Sequence, residues 1–183
     1  AQQDARPESA PLDAADSFIA NGSQQALYLA TQTLCDPGDI VLVEQPTYFV
    51  FLEMLRGLGI DAIPMPMLDS GDVDVVALED ELEGYRKRGE LDRVKAVYLV
   101  SYYANPSGHS VSKPSKSAIV ELLANYEGQI AVFEDAAYRE MYFDSPFDAE
   151  SLVTEGARKS VPVFYTTTLT KPFASGLKLG YGY

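Results

Sequence analysis

The chain is short of positive charge and has a single cysteine and a single histidine, and each shortage removes a class of function. Its 183 residues carry 14 Lys+Arg against 27 Asp+Glu, a formal net charge of -13 at pH 7. That excess repels nucleic acid and acidic membrane surfaces rather than binding them. Cys35 alone cannot form an internal disulfide, and His109 alone cannot build a His-rich metal site. Neither has a role that the sequence supports, and no metal is expected. No apolar run approaches the roughly 18 residues of a membrane span, and no basic-then-apolar leader opens the chain. The expectation is a soluble, cytoplasmic protein whose partners are small molecules or another copy of itself. The chain starts with Ala1 rather than methionine and stops at Tyr183 inside a strand-like run, which suggests an excised domain.

What is present suits one α/β domain with a real core: 46% hydrophobic and 22% charged residues over a length that can bury them. Residues 1–15, with Pro7 and Pro11, show no periodicity and read as an irregular lead-in. From residue 16 onward strand-like and helix-like runs alternate. The strand candidates are 16–20, 40–44, 60–65, 94–100, 130–135 and 161–167. Pro64 moves the third of these towards a sheet edge. Helical spacing covers 26–34, 49–56, 73–88 and 115–126, and Asp36-Pro37-Gly38-Asp39 is a strong turn. The segment 143–160 is polar and loop-like, with room for a short helix. Alternation of this kind predicts a mostly parallel sheet flanked by helices. Ligand sites in such sheets lie beyond the carboxyl ends of the strands, where Asn105, Asp135 and Lys171 all fall.

Taken singly, these residues have ordinary readings. A lysine after a strand is usually solvated, Asn105-Pro106-Ser107-Gly108 is usually a turn, and Asp135 at a strand end commonly caps a backbone group. Ser23 by itself is a plain N-cap, although Gly22-Ser23 opening a helix also leaves N–H groups that suit a phosphate. Tyr48 is one of twelve tyrosines and serves equally as a core or interface residue.

Five motifs in order change the weighting: Gly22-Ser23-Gln24, Pro46-Thr47-Tyr48, Asn105-Pro106-Ser107-Gly108, Asp135-Ala136-Ala137-Tyr138 and Thr168-Leu169-Thr170-Lys171. With them, from about Asn21 to Tyr181, the chain resembles the pyridoxal-phosphate-dependent class I/II aminotransferases of fold type I. The branch it resembles holds aminoadipate, kynurenine and aromatic aminotransferases. The resemblance implies that residues 16–183 are the cofactor-binding large domain, without the C-terminal small domain and the N-terminal arm. It implies a homodimer acting on an amino acid and a 2-oxo acid.

The same resemblance assigns the site. Lys171 would form the Schiff base with pyridoxal 5'-phosphate and then move the α-proton. An exposed lysine is a poor base at neutral pH, so burial near cationic neighbours is expected of it. Asp135 would pair with the pyridine nitrogen. Asn105 and Tyr138 would hydrogen-bond the phenolic oxygen, and Tyr48 would stack on the ring. The phosphate would sit on the amides of Ser23 and Gln24, the hydroxyls of Thr168 and Thr170, and the cation of Lys178. Thr168 and Thr170 stand where the family usually has serine, and Ser107 where threonine is commoner. Lys178 stands where the family usually has arginine, and it lacks that residue's bidentate fork. Two other functions fit the motifs: a lyase or decarboxylase on the same scaffold, and the ligand-sensing domain of a MocR-type transcription regulator.

Overall fold

The computed structural model describes residues 14–183. Of the lead-in, residues 1–13 lie outside the described residues, and Ala14–Asp16 form a short 3-10 turn before strand β1 (Phe18–Ala20). Helix α1 (Ser23–Leu34) follows, then β2 (Ile40–Val43), α2 (Phe49–Gly57) and β3 (Asp61–Pro64). The middle of the chain supplies α3 (Val75–Arg88), β4 (Val94–Val100), α4 (Lys113–Ala124) and β5 (Ala131–Asp135). It closes with α5 (Leu152–Lys159), β6 (Val163–Thr168) and β7 (Gly180–Gly182).

Local chemistry explains the boundaries. Asp74 caps α3 by accepting the Ala77 N–H at 3.0 Å, and Gly89 ends it in the left-handed region that glycine tolerates. Ser112 caps α4, with Pro114 in the first turn where its missing N–H costs nothing. The Asp36 turn is closed by its own N–H on the Asp39 carboxylate at 2.8 Å.

The seven strands form one sheet in the order β1-β7-β6-β5-β4-β2-β3. β2, β3, β4, β5 and β6 pair in parallel, and β7 runs antiparallel to both β6 and β1. β3, with Pro64, is an edge strand. The central strands are apolar on both faces, as expected where helices cover both sides. Tyr98, Phe133, Val41 and Val43 pack with Phe51 and Leu55 of α2 and Leu27 of α1 on one face. Val97, Leu99 and Val132 pack on the other with Leu78, Leu82, Ile119 and Leu123 of α3 and α4.

Segment 143–160 is more ordered than its polarity predicts, because α5 buries Leu152, Val153, Thr154 and Gly156. Glu134, fully buried on β5, accepts the Leu152 N–H at 2.7 Å and the Lys116 ammonium at 2.9 Å. Lys116 also donates to the Glu150 carbonyl at 2.9 Å. A buried carboxylate tied to both a cation and a helix start fixes α5 without a long apolar stripe.

Candidate active site

The carboxyl ends of β2, β4, β5 and β6 open towards the same edge of the sheet, and the order of strands reverses direction between β4 and β2. That switch point is where a crevice forms. One cavity there is lined by Ser23, Gln24, Tyr48, Asp135, Tyr138, Thr168, Thr170, Lys171 and Lys178. Nine of the ten residues singled out from the sequence thus share one wall. The tenth, Asn105, does not line the cavity but reaches it through Tyr138, its Nδ2 lying 3.5 Å from the tyrosine hydroxyl.

Asp135 is the site's buried charge. It is 4% exposed, its Oδ1 accepts the Ala137 N–H at 3.0 Å, and its Oδ2 accepts the Tyr98 hydroxyl at 3.1 Å. Burial pushes its carboxyl up to about 6, while the Ala137 N–H, the Tyr98 hydroxyl and the charge of Lys171 pull it down. Such a carboxylate is poised to hold a cation or a proton on a ligand atom.

The helix start that lines the same cavity is an anion cradle. Helix α1 begins after Gly22, with φ 80, and among the described residues no side chain caps its start. Ser23 is therefore the first helical residue and not the N-cap its sequence position suggested. Strand β7 makes this possible by backing onto the helix start. A Cβ on Gly180 would stand 2.5 Å from the Gly22 carbonyl carbon and 2.6 Å from the Ser23 nitrogen. Free amides at a helix N-terminus, with Lys178 beside them, suit a phosphate.

The two threonines are not equivalent. The Thr168 hydroxyl donates to the Leu179 carbonyl at 3.0 Å and accepts the Thr170 N–H at 3.1 Å, so it is spent on folding the turn that carries Lys171. Thr170 keeps its hydroxyl for the cavity. Gln24 reaches across to Tyr48, Nε2 to hydroxyl at 3.2 Å.

Lys171 departs from expectation, because its side chain is exposed. Its Nζ lies 5.3 Å from the centroid of the Tyr138 ring, a contact that orients a cation without desolvating it fully. Exposure follows from the local turn: residues 171 and 173–178 run across the surface between β6 and β7.

Two contributors escaped the sequence reading. Tyr98 lies two residues before the end of β4, on the same face as Val100, which is paired with Asp135. The period-2 alternation of β4 could have found it. Gly180 gave no signal beyond its small size.

A buried carboxylate, a lysine and a helix-start cradle around a switch-point crevice define a cofactor-using α/β scaffold. The model for class I and II aminotransferases matches residues 4–183, and the chain belongs to that family. The aromatic-amino-acid aminotransferase 1 of Thermococcus litoralis is 31% identical over 172 residues, 93% of this chain and 39% of that protein. The HTH-type transcriptional regulator YjiR of Escherichia coli is also 31% identical, over 93% of this chain and 34% of its own length. Among solved structures, the α-aminoadipate aminotransferase LysN of Thermus thermophilus, complexed with N-(5'-phosphopyridoxyl)-L-leucine, superposes with a TM-score of 0.73. It is 29% identical over 91% of this chain and 40% of that one. The chain thus spans about two fifths of the length of such aminotransferase relatives.

Proposed function

We propose that the chain is the cofactor-binding large domain, residues 16–183, of a pyridoxal-phosphate-dependent aminotransferase. The observation that carries this is the shared cavity joining Lys171, Asp135 and the uncapped start of α1. The residues fit pyridoxal 5'-phosphate part by part: an anion cradle, a buried carboxylate with a raised affinity for a proton, and a primary amine within the same wall. The LysN complex supports the same ligand chemistry.

In this reading the amides of Ser23 and Gln24, the Thr170 hydroxyl and the Lys178 ammonium hold the phosphate. Thr168 holds the turn beneath them. Asp135 keeps a proton on the pyridine nitrogen, and Asn105 and Tyr138 hydrogen-bond the phenolic oxygen. Tyr48 packs on the ring face, an offset contact worth about 0.5–1.5 kcal/mol beyond its buried area. Bound pyridoxal phosphate supplies an electron sink for the charge left at an amino acid's α-carbon. The Lys171 amine would hold the cofactor covalently and would take and return the α-proton. Covering of the exposed Lys171 by the rest of the protein or a second copy would lower the dielectric around it.

The substrates in this reading are an amino acid, of aromatic, aminoadipate or similar type, and a 2-oxo acid. The assembly is a cytoplasmic homodimer. Exposed Phe173 and Leu177, between Lys171 and Lys178, support a covering surface. No helix among the described residues is long and apolar enough to cross a membrane.

The test is borohydride reduction of the cofactor-loaded protein followed by peptide mass mapping. The cofactor is expected on Lys171, and Lys171→Ala should lose it. Incubation with a panel of amino acids should then yield 2-oxo acids in proportion to acceptor. Trapping at another lysine defeats the assignment. Trapping at Lys171 without turnover of any donor favours the sensor domain of a regulator, a reading the YjiR similarity supports.

A further inference from the structure

Glu44 has no part in the assignments above, yet it is a carboxyl only 5% exposed beside the site. It follows directly on β2. Its Oε1 accepts the Val100 N–H at 3.1 Å and the Thr47 hydroxyl at 3.4 Å, and its own N–H donates to the Tyr98 carbonyl at 3.4 Å. Val100 ends β4 and lines the cofactor cavity, while Thr47 immediately precedes Tyr48. Resting on the proposed function, we propose that Glu44 is a positioning residue of the cofactor site, a buried acceptor that clips the Tyr48 turn to the end of β4.

The surroundings favour a protonated carboxyl. Burial pushes the Glu44 carboxyl up to about 8. The Val100 N–H and the Thr47 hydroxyl lower it, and the charge of Asp135 on β5 raises it further. Burial, Asp135 and Glu44 together hold the Tyr98 phenol on β4 well above its ordinary value, so it faces Glu44 as a neutral group. On its other side Glu44 opens on a cavity of about 280 Å³ shared with Asp69 and His109, and among the described residues no lysine or arginine lines it. With no such cation in that cavity to offset it, an ionised Glu44 would stand close to Asp135. A proton on Glu44 leaves Asp135 as the negative charge facing the ring.

The test uses Glu44→Leu and Glu44→Gln in the complete protein. Leucine leaves the Val100 N–H and Thr47 hydroxyl without their acceptor, so the dissociation constant for pyridoxal phosphate should rise at least about fivefold at pH 7. Glutamine keeps the acceptor without the charge and should restore affinity to within about threefold of wild type. On the cofactor-free protein, melting temperature should fall less between pH 6 and pH 9 in Glu44→Gln than in wild type. Should the leucine variant fail to fold, Thr47→Val, which removes one of the two bonds to Glu44, decides: its dissociation constant for pyridoxal phosphate should rise, and an unchanged value overturns the inference. Parallel pH profiles, or leucine binding the cofactor as wild type does, overturn the inference. If wild type itself fails to bind the cofactor, the proposed function falls and this inference with it.

Discussion

At the residue scale, the site turns on how Asp135 is kept ionised in a buried place. Desolvation raises its carboxyl, and two hydrogen bonds and the Lys171 charge work against that rise. Tyr98 is the adjustable member, since its hydroxyl makes one of those two bonds and its ring is held by stacking on Phe51 at 3.9 Å. Tyr98→Phe keeps the ring and removes the bond. A hydrogen bond to a charged group contributes about 1.5–3 kcal/mol, so the Asp135 carboxyl should rise further and be protonated at higher pH. The expected outcome is an acidic limb of the amino-transfer pH profile that moves to higher pH, with little change in melting temperature. A profile identical to wild type would show that Tyr98 does not tune Asp135. Asp135 was legible in the sequence as a charge at a strand end, but its tuning was not. Tyr98 lies thirty-seven positions away and meets Asp135 only because β4 and β5 pair with Val100 opposite Asp135.

At the element scale, the cradle depends on β7 lying directly against the start of α1. The Gly22-Ser23 pair announces where the helix begins but not what lies beside it, because β7 reaches that place through distant antiparallel pairing with β1 and β6, Ala20 and Thr168 both opposite Gly180. Gly180→Ala tests the contact. Its Cβ would lie 2.5 Å and 2.6 Å from backbone atoms of Gly22 and Ser23, which cannot give way as a flexible side chain can. Overpacking of this kind costs about 1–3 kcal/mol. The pair of elements should move apart, and affinity for pyridoxal phosphate should fall by more than affinity for pyridoxal, which lacks the phosphate. Gly176→Ala is the control, since among the described residues nothing lies within 4 Å of its added carbon. It should leave stability within about 0.5 kcal/mol of wild type. Helix α5 shows the opposite limit of a sequence reading. Its fixation by Glu134, Lys116 and a backbone carbonyl is tertiary, and no local pattern announces a helix held by a buried ion pair.

For the whole molecule, alternating strands and helices were enough to read a mostly parallel sheet and to place the site on its carboxyl edge, since that follows from chain direction alone. The antiparallel course of β7 and the acidic character of the interior were not readable, because the first is set by distant pairing and a buried carboxyl looks like any other glutamate in sequence. That interior shapes stability as a function of pH. Glu44 and Asp135 are held at about 8 and about 6 against ordinary values of 4.5 and 3.8. The folded cofactor-free protein therefore binds more protons than the unfolded chain across that window. Their contribution to stability is fully present below about pH 4, declines as pH rises, and is lost above about pH 8. The net charge of -13 adds self-repulsion over the acidic part of this range, as the ordinary carboxylates ionise, and changes little above about pH 6. The cofactor-free protein should accordingly be more stable at pH 6 than at pH 8.5, by an amount on the order of a few kcal/mol. Pyridoxal phosphate should narrow the gap, because a protonated pyridine nitrogen beside Asp135 favours its ionised form. Denaturant titration at the two pH values, with and without the cofactor, measures both effects. Equal stability at the two values without cofactor would mean that the buried carboxyls are ionised throughout.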